Sequence, residues 1–138
     1  MTTLKRFGIS IGGDLIERFD RWCRDRGYEN RSEAVRDLIR DRLVQDDWRR
    51  GRTPSVGTLT LVYDHHVLEL PRRLTEIQHA YEKLIVSTIH VHLDHCNCLE
   101  VIIFKGPGKK IQEAGDRLMA TKGVKHSTLS LTTTGKGL

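Results

Sequence analysis

The stretch His90-Val-His92-Leu-Asp-His95-Cys96-Asn-Cys98 gathers imidazole and thiol donors within nine positions of this 138-residue chain. On a strand, His90 and His92 share one face, a pleat apart, so both imidazoles can reach a single ion. A turn through Asp94 to Asn97 then brings Cys98 back toward the pair. His79 stands upstream, beside the apolar residues of a predicted helix. Imidazole and thiolate together suit nickel, copper, zinc or cobalt and argue against magnesium or calcium. A rival stays open, in which the thiols of Cys96-x-Cys98 chelate zinc or copper(I) by themselves. The bland alternative is a solvated strand face. A metal-activated hydrolase is disfavoured, because a fourth histidine would close the site and no well-placed general base or phosphate-binding glycine loop is found. The chain therefore reads as a binding protein and not an enzyme. His95 and Cys96 add donors that could admit another metal, whereas His65, His66 and His126 read as surface histidines.

The elements that must carry these donors fall into two halves of different chemistry. All seven histidines lie after Tyr63, while arginine is concentrated before Pro54. A net charge of +5 favours a polyanionic partner. No apolar run is long enough to cross a bilayer and no signal-peptide core begins the chain, so a cytoplasmic protein without a membrane partner is expected. Reduced thiols follow from that compartment. Cys23 reads as a small core residue, and with Cys96 and Cys98 it makes an odd set, which argues against a disulfide framework.

From Leu4 to Ile11 the residues alternate: Phe7, Ile9 and Ile11 point one way, Arg6, Gly8 and Ser10 the other. Asp14 reads as the cap of a helix to about Arg26, with Gly27 as its stop. Asn30 followed by Glu33 opens a second helix, which runs to about Asp47 and carries Ala34, Val35, Leu38, Ile39 and Leu43 inward. A lone strand leaves its backbone unpaired, so a dimer with two antiparallel copies of the strand is the economical arrangement. Such a ribbon fits the major groove of DNA, and the helix start at Asn30, Arg31 and Ser32 offers N–H groups to a phosphate. The strand-helix-helix order and the run N-R-S-E-A-V-R resemble the ribbon-helix-helix class of bacterial DNA-binding proteins.

Gly51 to Gly57 (G-R-T-P-S-V-G) reads as a linker between a DNA-binding domain at 1–50 and a second domain at 58–138. The second domain predicts a strand at Thr58–Tyr63, a helix at Pro71–Ile85, strands at Thr88–Leu93 and Leu99–Phe104, a helix at Lys109–Thr121 and a strand at His126–Thr132. That β-α-β-β-α-β order is ferredoxin-like, and the chain as a whole is α+β.

With that arm, that domain and the stretch Q-H-(x10)-H-V-H-(x5)-C-L-E, the whole chain resembles the nickel-responsive transcriptional regulator family. The resemblance implies an ACT-like C-terminal domain and Ni(II), one per subunit, on His90, His92 and Cys98 of one subunit and His79 of another. It implies that Tyr63 and Glu100 hold the ligands in place, and that a secondary cation sits on Glu33 and Asp37 near the domain junction. It further implies a homotetramer, a dimer of dimers, that binds double-stranded operator DNA and represses nickel-uptake genes. Gly8 departs from the polar residue usual in the family's ribbon, leaving Arg6 and Ser10 as the main base readers. A regulator answering to cobalt, zinc, copper or a small effector is the alternative.

Overall fold

The side-chain oxygen of Asn30 accepts the backbone N–H of Glu33 at 2.9 Å, and helix α2 (Arg31–Arg50) starts there. The computed structural model describes residues 3–51 and 54–138 and divides the chain into two units between Asp41 and Arg42. In the first unit, helix α1 (Gly13–Asp25) is capped by Gly12 with no side-chain hydrogen bond. Asp14, expected as the cap, lies instead inside the first turn, where a negative charge favours the amide dipoles. Gly27, at φ 76°, ends that helix, since the left-handed turn is cheap only without a Cβ. A bidentate ion pair from Arg31 to Asp20, at 2.7 and 2.6 Å, ties the start of α2 to α1. Phe19, Trp22 and Tyr28 stack beside it.

The expected strand at Leu4–Ile11 is not formed as a ladder: residues 3–12 have no regular structure. A ladder is a relation between two strands, and the single chain supplies one. Leu4, Phe7 and Ile9 are 87%, 71% and 62% exposed, and Leu38, Ile39 and Leu43 of α2 are exposed as well. Of the residues expected to point inward from α2, only Ala34 is buried.

The second unit holds the last turns of α2 and strands β1 (Pro54–Asp64), β2 (Ile85–His92), β3 (Asn97–Pro107) and β4 (Val124–Thr133). They form one antiparallel sheet in the order β2-β3-β1-β4, the ferredoxin-like arrangement. Helices α3 (Leu70–Ala80) and α4 (Gly108–Met119) bury Leu70, Leu74, Ile111, Ala114 and Leu118 against Leu59, Leu61, Ile102 and Phe104. Trp48, near the end of α2, joins this core, and its indole N–H donates to the Thr132 carbonyl at 2.7 Å.

Two boundaries differ from expectation. The stretch 51–57 is not a linker throughout, because β1 already begins at Pro54 and pairs from there with Pro107 of β3; Arg52 and Thr53 lie outside the described residues. A proline is tolerated at the first position of a strand. Gly57, read as a linker glycine, is a packing residue: a Cβ there would stand 2.8 Å from Ile111 Cγ2. The helix expected to reach Ile85 ends at Ala80 and passes through a 3₁₀ turn, Glu82–Leu84, into β2.

Gly57→Val is therefore expected to destabilise the protein by about 1–3 kcal/mol through overpacking, read as a lowered urea midpoint. An unchanged midpoint would mean that this segment is a linker after all.

Candidate metal centre and nucleic-acid interface

Antiparallel register sets which side chains meet, because directly opposed residues point to the same face. His92 stands opposite Cys98 and His90 opposite Glu100 across β2 and β3. Tyr63 stands opposite Cys98 across β1 and β3. Cys98, Glu100 and Tyr63 are 0%, 6% and 2% exposed, so this is the face covered by the helices. The two histidines stand on the same side at the sheet edge, where they remain exposed. Their rings lie 5.4 Å apart, 29° from parallel, and Tyr63 meets His90 edge-on at 6.1 Å.

Behind the histidines runs a chain of hydrogen bonds, buried between Tyr63 and Glu100 and open to solvent at Thr88. The Tyr63 hydroxyl donates to Glu100 Oε2 and the Gln78 amide to Glu100 Oε1, both at 2.7 Å. Thr88 Oγ1 donates to Gln78 Oε1 at 3.2 Å. Burial first, then the bond to Glu100, pushes the Tyr63 phenol far above its ordinary value, so it stays a donor. The Cys98 thiol donates to the Tyr63 carbonyl at 3.4 Å, and burial pushes its ionisation up as well. A protonated thiol is a weak ligand, so any metal there must release a proton.

His79, next to Gln78 on α3, is exposed. Consecutive helical residues are about 100° apart, so His79 does not follow Gln78 onto the Glu100 side. Among the described residues, the donor atoms of His90, His92 and Cys98 do not close to within 4.8 Å of one another, whereas those of Asp64, His66 and Cys96 do. Cys96 therefore goes with Asp64 and His66, and Cys98 with the core face, which speaks against the Cys96-x-Cys98 chelate.

His65 and His66 were expected on the surface; His66 is exposed as expected, whereas His65 is partly buried. The His65 ring stands perpendicular to His92 at 5.2 Å, and its buried Nδ1 has no hydrogen-bond partner. Burial, then the charges of His66 and His92, push its basicity down. The sequence signal for His65 was present: it follows Tyr63, one of the residues paired with Cys98. It was hidden by the unknown register.

In the arm, Arg6, Gly8 and Ser10 are exposed, and nothing within 4 Å of Gly8 demands a glycine. Asn30 is used as the α2 cap and Arg31 is held by Asp20, while Ser32 is exposed at the helix start. Glu33 pairs with Arg36, and Asp37 accepts from Tyr28 at 2.8 Å and Arg40 at 3.3 Å. Both carboxylates thus have partners within the arm.

A family model described as ribbon-helix-helix protein, copG family, matches residues 5–46, and one described as NikR C terminal nickel binding domain matches residues 56–132. A protein of Nitratidesulfovibrio vulgaris Miyazaki F is 56% identical over 133 residues, 96% of each chain. One from Desulfovibrio desulfuricans is 54% identical over 138 residues, 100% of this chain and 99% of that one. One from Solibacter usitatus is 53% identical over 135 residues, 98% of this chain and 97% of that one. All three carry the name "putative nickel-responsive regulator". Among solved structures, an uncharacterized protein from Thermotoga maritima matches with a TM-score of 0.52 at 15% identity, over 57% of this chain and 98% of that one, a likeness of fold alone. A ribbon-helix-helix arm followed by a nickel-binding domain, with relatives matched end to end, places this chain in the nickel-responsive regulator family of transcriptional regulators, which are not enzymes.

Proposed function

We propose that the chain is a nickel-dependent repressor, with one Ni(II) per subunit held by His90, His92 and Cys98 of one subunit and His79 of another. The observation that carries this reading is the register of β2 and β3, which puts two imidazoles and a thiol on one side of the sheet edge. This donor set fits a late transition metal and does not fit a hard cation. When bound, the ion supplies a cross-link between subunits. The chain's own residues do the rest: Tyr63 and Gln78 hold Glu100, Glu100 holds its place on β3 two residues from Cys98, and the thiol gives up its proton. The nickel-free thiol is shielded by burial, so the site favours an ion strong enough to displace that proton.

The arm supports a dimer on DNA. The exposed apolar residues of the segment 4–11 and of α2 are covered when two copies pair, leaving Arg6 and Ser10 outward on the ribbon. Ile89 and Val91, which alternate with the two histidines on β2, are 50% and 42% exposed on the opposite side of the sheet. Burying that side between copies supports a homotetramer, a dimer of dimers, that meets operator DNA at two half-sites, with nickel shifting the population toward the DNA-competent arrangement. Such a regulator works in the cytoplasm, on nickel-uptake genes. No helix among the described residues is long and apolar enough to cross a membrane. A secondary cation on Glu33 and Asp37 would have to displace Arg36, Arg40 and Tyr28, so it belongs to the DNA-bound state, if those pairs open there.

Titrating the reduced protein with nickel(II) is expected to give one equivalent per chain, with a thiolate charge-transfer band that Cys98→Ala abolishes. A band indifferent to that substitution would refute the assignment. The Cys98 thiol must lose its raised proton, so apparent nickel affinity should rise with pH, with one proton released from that thiol per ion; a flat pH profile would show that the thiol is not a ligand. Tyr63→Phe keeps the ring but removes the hydroxyl bond to Glu100, and nickel affinity is expected to fall about 10–100-fold. Unchanged affinity would mean that Glu100 is not needed to position β3. On DNA, binding should tighten with nickel and be lost in chelator. Arg6→Ala should weaken it and, if Arg6 reads a base, relax the preference at one position by about 1–3 kcal/mol, measured by competition between operator variants.

A further inference from the structure

Asp64 ends β1, His66 lies two residues on in the loop to α3, and Cys96 lies in the turn between β2 and β3. One carboxylate oxygen, one ring nitrogen and one sulfur from these three side chains lie within 4.8 Å of one another. The two loops are fastened together around them. The His65 N–H donates to the Cys96 carbonyl at 3.1 Å, and Asp64 Oδ1 accepts the backbone N–H of His66 at 2.8 Å. Asp94 holds the turn by accepting the N–H groups of Cys96 and Asn97 at 2.8 and 2.7 Å. Lys125 donates to the Asn97 side chain at 2.6 Å.

We infer that Asp64, His66 and Cys96 form a second metal site, separate from the His90, His92 and Cys98 set, that takes one zinc-class divalent ion. Three features of the donors carry this. Imidazole with thiolate selects a late transition metal over magnesium or calcium, and carboxylate, imidazole and thiolate are the three zinc ligand types. A carboxylate and a thiolate together neutralise the ion's two charges once the Cys96 proton has passed to solvent. His66 Nε2 lies 3.2 Å from the His95 carbonyl, and a carbonyl can only accept. The ring proton therefore sits on Nε2, and the Nδ1 lone pair is left for the metal, with the backbone bond orienting the ring as metal-bound histidines are usually oriented. Half-exposed Cys96 and exposed His66 leave room for water as the fourth ligand. His65, between two of these ligands in sequence, stands against His92.

Cobalt(II) is the probe, because four-coordinate cobalt bound to thiolate absorbs strongly where six-coordinate cobalt does not. The full reduced chain carrying Cys98→Ala is titrated anaerobically, which removes the thiol of the proposed nickel site. The expected result is one cobalt per chain with a sulfur charge-transfer band and intense visible bands. Adding Cys96→Ser should abolish the sulfur band, and adding His66→Gln should weaken cobalt binding at least tenfold. Circular dichroism and the melting curve of each variant confirm that it is folded; both positions are on turns outside the core. No four-coordinate spectrum in Cys98→Ala, or one that survives Cys96→Ser, overturns the site. A nickel titration of Cys96→Ser, which keeps Cys98 and removes the thiol of the second site, decides the first site independently, so either can fail without the other.

Discussion

A carboxyl group buried between a sheet and a helix costs several kcal/mol unless its oxygens are satisfied, and Glu100 meets that condition on both sides. Tyr63 of β1 reaches one oxygen and Gln78 of α3 the other. Three elements are thereby held at fixed distances around one side chain. Cys98 is two residues away on the same face of the same strand, opposite both Tyr63 and His92. The strand that carries the thiol is thus held by hydrogen bonds beyond the thiol's own bond to the Tyr63 carbonyl. Without Glu100 the strand pairing and the apolar packing of α3 would remain, but the polar tie from β3 to α3, the helix that carries His79, would be lost.

This layout explains which parts were legible in the sequence. The order of strands and helices follows from periodicity, and the cap at Asn30 from side-chain chemistry local to four residues. That His90, His92 and Cys98 share one face of the sheet follows from their spacing along a hairpin. Register across β1 does not follow from local pattern, since it is set by which residues of distant strands are buried together. For that reason His65, whose ring stands against His92, reads as a surface residue. Gly57 misled in a similar way: a glycine in a Gly-Pro-Ser stretch signals a flexible joint, but here its missing Cβ makes room for Ile111. Asp14 was named as a cap because it is the helix-starting residue type, yet the helix is capped two residues sooner, at Gly12.

The chain also leaves several surfaces that it cannot finish alone. The apolar residues of the segment 4–11 and of α2 are exposed, the outer side of β2 shows Ile89 and Val91, and His79 stands apart from the donors it is proposed to join. Each is the kind of deficit that a second copy removes. If one ion takes three donors from one subunit and one from another, metal binding and assembly share a single free energy, and each must strengthen the other.

That linkage bears on how a site of nitrogen and sulfur donors can answer to nickel. Bare affinity for such donors favours copper, so discrimination must come from geometry and from what occupation does to the assembly. A site built on one chain alone would bind whichever ion binds most strongly. A site completed only by a neighbour's histidine responds to the ion whose preferred arrangement of ligands matches the separation that the two subunits can adopt. Nearby thiols and imidazoles, such as Cys96 and His66, would blur that discrimination if they could reach the same ion. Their grouping with Asp64 puts those donors within 4.8 Å of one another, in a cluster apart from His90, His92 and Cys98.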